Sequence, residues 1–229
     1  LTLIEKILGP ALLGRSPLDT NTRYADMVET MRVRGHWGGY QIDAVAGLDT
    51  ALWDIRGKAA DLPISRLLGG RYRETLPCYV SGLRKKQREA RAEEAIEYRE
   101  RGFAGVKPFL GSGLRADGEE IYALRDALGP DMQIMVDALW RYDHGSAVRL
   151  GRVCEEAGVS FFEAPMAPED IRGHARLAAD LDVAIAVGEP LRTRAQFIDW
   201  LSADAMDVCQ PDVMRNGVTE SWKIAMLAE

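Results

Sequence analysis

Three acidic residues stand at the ends of short apolar runs, at equal spacing. Ile134-Met135-Val136 leads to Asp137, Val159-Ser160-Phe161-Phe162 to Glu163, and the run from Val183 to Gly188 to Glu189, with a step of 26 residues each time. Successive strand ends of a parallel barrel converge on one mouth, so carboxylates on three neighbouring ends would point into one small space. Two carboxylates about 4 Å apart repel by roughly 4 kcal/mol at an effective dielectric near 20. Three of them demand a cation. Oxygen donors with no Cys or His beside them suit a hard ion. Magnesium takes about six oxygen ligands and leaves room for a substrate carboxylate. An ion placed there stabilises the charge that develops when the proton next to that carboxylate is removed. Any one acid alone reads as a helix N-cap or a surface ion-pair partner. The repetition outweighs that reading.

The elements that must carry these acids follow from periodicity. From Leu76 onward short apolar strands alternate with amphipathic helices. Strands are expected over Leu76–Val80 and Ala104–Lys107, before Asp137, Glu163 and Glu189, and over Met206–Gln210. Helices are expected from about Lys85 to Arg101, around Ile121, Leu124 and Leu128, over Ala147 to Ala157, from about Pro168, and around Phe197 to Leu201. This pattern predicts an α/β fold with a parallel sheet and helical crossovers. No glycine-rich phosphate loop follows the first strand and acids end several strands, which favours a (β/α) TIM-type barrel over an open doubly wound sheet. Only six of eight units can be counted. An opened barrel would expose two strand edges, so either two units lie outside these residues or the segment folds with a partner.

Residues 1–72 read as the helical part of a separate capping domain and residues 73–229 as the barrel domain, incomplete after its sixth strand. The clearest helix of the first section runs from Asp43 to Asp61, with Val45, Leu48, Leu52, Ile55 and Ala59 on one face and Pro63 marking its stop. The chain starts at Leu1 without an initiator Met and stops at Glu229 within a helical pattern, so a piece of a longer protein is expected.

The 229 residues are 47% hydrophobic and 28% charged with a net charge of −6, which gives a globular composition and no basic stripe for nucleic acid. No apolar run reaches membrane-spanning length, so no membrane partner is expected. Cys78, Cys154 and Cys209 are odd in number and widely spaced. They read as buried small hydrophobes in a reducing compartment, the cytoplasm by default. His144 and His174 read as surface residues on helices.

These motifs together resemble the mandelate racemase and muconate lactonizing enzyme branch of the enolase superfamily, from about residue 40 to the end. Ala51-Leu52-Trp53-Asp54-Ile55-Arg56-Gly57-Lys58 with Leu67-Leu68-Gly69-Gly70 looks like the helix between that branch's capping domain and barrel. Val136-Asp137, Phe162-Glu163-Ala164-Pro165 and Val187-Gly188-Glu189 match its three magnesium-ligand motifs. Gln210-Pro211-Asp212-Val213, with Gly217 and Thr219-Glu220, matches its sixth strand. The resemblance implies Asp137, Glu163 and Glu189 as ligands of Mg2+. It implies Asp212 as the acid that orients a catalytic His on a seventh strand, beyond Glu229. Lys107 would lie beside the substrate carboxylate and the metal. The family often has a second lysine two positions on, where this chain has Phe109. Phe transfers no proton, and a positioned acid or base contributes on the order of 10² to 10⁴ in rate. Leu139 departs from the polar residue common two positions past the first ligand. Arg141, His36 and Trp37 are candidate substrate contacts, with a solvated arginine and a packed loop aromatic as the alternatives.

The missing second lysine points away from a two-base racemase and toward dehydration of a sugar acid, with epimerisation or cycloisomerisation as alternatives within the superfamily. The rival of another class is an inactive metal-binding fragment. The 229 residues alone are expected to show little or no turnover. The longer parent is expected to act on a small sugar acid as a homo-oligomer.

Overall fold

The structure is a computed structural model that describes residues 1–229. The chain folds into two compact units. One comprises Leu1–Glu74, Gly188–Ile198 and Gln210–Glu229, and the other Thr75–Val187 and Asp199–Cys209. No helix is long and apolar enough to cross a membrane.

In the first unit a π-type turn, Ile4–Leu8, runs into α1 (Gly9–Leu12), followed by α2 (Thr20–Arg32), α3 (Tyr40–Ala60) and α4 (Ile64–Leu67). Leu8, Tyr24, Met27, Met31, Val45 and Leu52 form its buried core. The buried face of α3 is Ile42, Val45, Ala46, Asp49, Leu52, Trp53 and Gly57, whereas Ile55 is 43% exposed. The expected stripe through Ile55 and Ala59 is therefore corrected: it holds for Val45 and Leu52 and fails at Ile55 and Ala59, which are exposed. A helix of the same unit, α10 (Val213–Ala228), explains the difference. The backbone of α10 breaks at Gly217, whose φ of 76° is left-handed. A Cβ there would fall 2.7 Å from Asp49 Oδ2 and 3.2 Å from the Ala46 Cα, so only glycine admits the contact. At the break the Thr219 backbone N–H donates to Asp49 Oδ2 (2.8 Å) and its hydroxyl donates to Asp49 Oδ1 (2.6 Å). Trp53 Nε1 donates to Thr219 Oγ1 (2.8 Å). A buried acid on α3 thus satisfies the backbone donor that the kink in α10 sets free.

The second unit alternates strands with helices, as the periodicity predicts. In chain order it has β1 (Tyr79–Ser81), α5 (Arg88–Glu100), β2 (Gly105–Lys107), α6 (Leu114–Leu128), β3 (Gln133–Ile134), β4 (Val136–Asp137), α7 (His144–Glu156), β5 (Phe161–Glu163), α8 (Ile171–Asp180), β6 (Ala184–Val187) and β7 (Val208–Cys209). Between the two segments of this unit the chain enters α9 (Arg194–Ser202), which begins in the first unit. All pairings are parallel, in the orders β1-β2-β3 and β4-β5-β6-β7. The third expected strand is split at Met135, so β3 pairs with β2 and β4 pairs with β5. A bridge between Phe109 and Asp137 links the two sheets. This is the α/β, enolase-like partial barrel with a helical capping region ahead of it.

Ala147, Leu150, Cys154 and Ala157 are buried on α7 as the spacing predicts. Two expectations fail here. Cys78 is exposed and Cys209 only half-buried. Cys78 precedes β1, the outer strand of its sheet, which pairs with a neighbour on one side only. His174 is fully buried. It takes an inward position on α8 with Gly173 and Leu177, its Nδ1 lies 2.8 Å from the Asp170 carbonyl, and its ring meets Trp200 edge-on at 4.8 Å. Burial pulls its pKa below the usual 6.5.

Candidate active site

Lys107, Asp137 and Glu163 end β2, β4 and β5. Asp137 stands opposite Glu163 in the register of β4 on β5, so one step of the ladder sets both carboxylates at the same height. The Lys107 ammonium donates to Glu163 and lies 3.8 Å from Asp137 Oδ2. All three are buried, at 5 to 6% exposure. Two buried carboxylates against one ammonium leave a formal surplus of one negative charge, in a setting where water screens it poorly. That donor set, hard oxygens with no thiolate or imidazole among them, fits a hard divalent cation. No group of three His, Cys, Asp or Glu side chains is drawn together in the structure. Glu189 belongs to the other compact unit, in an exposed turn two residues past the end of β6.

The turns behind the acids are held in strained backbone. Leu139, Trp140 and Ala164 have φ of 53°, 61° and 49°, a region that costs an L-residue about 1–2 kcal/mol. Hydrogen bonds hold them there. Leu139 N donates to Asp137 Oδ1 (3.0 Å), Trp140 N to the Ala164 carbonyl (2.7 Å), and Ala164 N to the Ala186 carbonyl (3.0 Å). Leu139 therefore supplies a polar backbone contact to Asp137 although its side chain is apolar. Phe109 is 53% exposed, with its ring against Gly82, where a Cβ would come within 2.8 Å of the ring.

The other candidates lie in varied surroundings. Arg141 is exposed. His36 is exposed, and Trp37, 66% exposed, lines a cavity of about 250 Å³ with Tyr24, Ile42, Arg194 and Glu220. In that cavity the Arg194 backbone N–H donates to the buried Glu220 carboxylate at 2.9 Å. Burial and the charges of Glu220 and Asp49 push the Tyr24 hydroxyl far above its ordinary pKa. Asp212 caps α10, its Oδ1 accepting from Met214 N at 2.8 Å, with Arg215 Nε 3.5 Å from Oδ2. His144 opens α7 and is half-buried. Sequence reasoning passed over Asp117 and Tyr142, which tie the loops behind Lys107 and Asp137 together. Their only signal was an acid four residues after the Gly111-Ser112-Gly113 turn.

Residues 90–229 match the family described as enolase C-terminal domain-like. Residues 1–69 match the mandelate racemase / muconate lactonizing enzyme N-terminal domain. The chain is 38% identical to D-galactarolactone cycloisomerase of Agrobacterium fabrum over 95% of its own length and 58% of the relative's. It is 37% identical to arabinonate dehydratase of Saccharolobus solfataricus, over 99% and 61%. The crystal structure of a racemase from Streptomyces coelicolor A3(2) with bound magnesium superposes with a TM-score of 0.93 at 30% identity, covering 99% of this chain and 64% of that one. The chain thus spans about three fifths of the length of the curated relatives it matches. Matched along both of its halves, with buried acids at successive strand ends, the chain belongs to the mandelate racemase and muconate lactonizing enzyme family of the enolase superfamily.

Proposed function

We propose that the parent of this chain removes the proton next to the carboxylate of a sugar acid and expels the neighbouring hydroxyl as water. The observation that carries this reading is the buried meeting of Lys107 with Asp137 and Glu163 at the ends of β2, β4 and β5. Asp137, Glu163 and Glu189 are the proposed holders of Mg2+, which when bound would supply positive charge where the substrate carboxylate gains electron density. Lys107 adds a second positive charge at that position, and its burial strengthens the effect. Phe109 leaves one face of the substrate without a proton-transfer group. Asp212 orients a base carried on a later strand, and Arg141, His36 and Trp37 contact the rest of the substrate.

The test is the full-length parent with Mg2+ and a library of aldonates and aldarates, followed by NMR in heavy water. Dehydration gives an α-keto acid deoxygenated at the adjacent carbon. Deuterium entering the α position with no loss of hydroxide would redirect the reading to epimerisation. Neither product nor exchange with any acid would end it. Similarity to D-galactarolactone cycloisomerase favours a second reading, cycloisomerisation, in which proton removal is shared but no water leaves. The same spectra separate the two. The parent is further proposed to be a homo-oligomer, which sedimentation measures directly.

A further inference from the structure

Three loops, residues 108–113, 138–143 and 164–170, leave the strand ends that carry Lys107, Asp137 and Glu163. Asp117, in the first turn of α6, is only 3% exposed. Its Oδ2 accepts from the Gly111 backbone N–H at 2.7 Å and from the Tyr142 hydroxyl, and its Oδ1 accepts from Ser112 N at 3.2 Å. The first loop is therefore fastened to the second by a side chain. Tyr142 also reaches the third loop, since its backbone N–H donates to the Pro165 carbonyl at 3.1 Å and it bridges Met166. Leu110 N donates to the Asp137 carbonyl at 2.8 Å, so the first loop is also bonded to the strand end that the second loop leaves.

An acid in a helix's first turn is commonplace. A buried one that accepts three hydrogen bonds and takes a tyrosine from the neighbouring loop is not explained by the helix. The Tyr142 hydroxyl is a donor at neutral pH like any tyrosine, and burial with the hydrogen bond to Asp117 moves its pKa further up.

We propose that the Asp117–Tyr142 pair is a clasp that sets the relative positions of Lys107, Asp137 and Glu163, acting through the three loops behind them. Both are positioning residues, and neither touches substrate. The inference rests on the functional reading above, because the positions matter only if those three groups act together. A displacement near 1 Å in such a group is enough to cost on the order of 10² in rate.

The experiment compares the full-length protein with Tyr142→Phe, Asp117→Asn and Asp117→Ala. It reads hydrogen exchange, the NMR signal of a 13C-labelled Lys107 side chain, and Mn2+ affinity by calorimetry. Tyr142→Phe is expected to speed exchange about tenfold in residues 108–113 and 138–143 together, to leave α6 and α7 protected, to shift the Lys107 signal, and to weaken Mn2+ about tenfold. Asp117→Asn, which keeps an acceptor for Tyr142 but loses the charge, should fall between wild type and Asp117→Ala. Unchanged loops or an unmoved Lys107 signal overturn the clasp. Faster exchange spread through α6 and α7 overturns it too, since the pair would then be ordinary packing. A wild type that binds no Mn2+ overturns the metal reading alone, and the exchange and Lys107 signals still decide the clasp.

Discussion

At the mouth of the strands a single ammonium faces two carboxylates, and this makes the consequences of substitution unequal. Removing Glu163 leaves Lys107 with Asp137 at 3.8 Å, one charge against one. Removing Lys107 leaves Asp137 and Glu163 buried on adjacent strands with their repulsion no longer offset by the ammonium. Breaking a buried ion pair by deleting one partner costs about 3–5 kcal/mol, and the cost is greatest where the charge left behind is least compensated. Lys107→Met should therefore destabilise by that amount in urea unfolding with EDTA present, and Glu163→Gln by markedly less. The double variant should be more stable than the sum of the two losses predicts, with a coupling of about 1–3 kcal/mol. Equal losses, or strict additivity, would show that Lys107 is not the counter-charge. The acids and Lys107 were legible in the sequence because each ends an apolar run. Their mutual geometry was not, since the ladder register that pairs Asp137 with Glu163 comes from the fold.

Among the elements, α3 and α10 depend on one acid that no count of apolar letters would place in a core. Asp49 is fully buried, yet it lies in a stripe with Ile42, Val45, Ala46 and Trp53. The sequence carries no hint of this because its partner, Thr219, is 170 residues away along the chain. Asp49→Ala strands the Thr219 N–H and hydroxyl without their acceptor and should cost about 2–4 kcal/mol. Gly217→Ala forces a Cβ into the same space at a left-handed φ and should cost about 1–3 kcal/mol. Because both act on one contact, the pair of substitutions should cost less than their sum in urea unfolding. Burial raises the Asp49 pKa above its ordinary 3.8, against the bonds from Thr219 that lower it. A carboxylate so shifted penalises the fold while ionised, and the penalty fades as pH falls through the folded pKa toward 3.8. Wild type should accordingly gain stability relative to Asp49→Asn as the solution is acidified from about pH 7 toward pH 4. A constant difference would mean that folding leaves the Asp49 pKa where it stands in the unfolded chain, and that burial does not raise it.

Across the whole molecule, the alternation of strands and helices could be read from periodicity, as could the parallel pairing, because each crossover helix carries its own apolar face. The break of the third strand at Met135 could not, since Gln133 to Asp137 reads as one continuous run. His174 was misplaced for a related reason: a polar letter at an inward helical position looks like the surface until Trp140 and Trp200 are seen around it. That histidine gives the two compact units opposite responses to acid. Its folded pKa lies below 6.5, so under acidic conditions the unfolded chain binds the proton first. Stability is lost as pH drops through about 6.5 and stops falling only below the folded pKa. His174 belongs to the unit of Thr75–Val187 and Asp199–Cys209, whereas Asp49, which responds in the opposite sense, belongs to the other. Hydrogen exchange between about pH 7 and pH 5 should therefore show the core helices α7 and α8 losing protection before α3 and α10. His174→Phe keeps an aromatic ring between Trp140 and Trp200 and cannot charge, so it should flatten the acid-side loss in α7 and α8 while leaving α3 and α10 unchanged. If α7 and α8 lose protection at the same pH in that variant as in wild type, the acid sensitivity of this unit lies in its carboxylates and not in its buried imidazole.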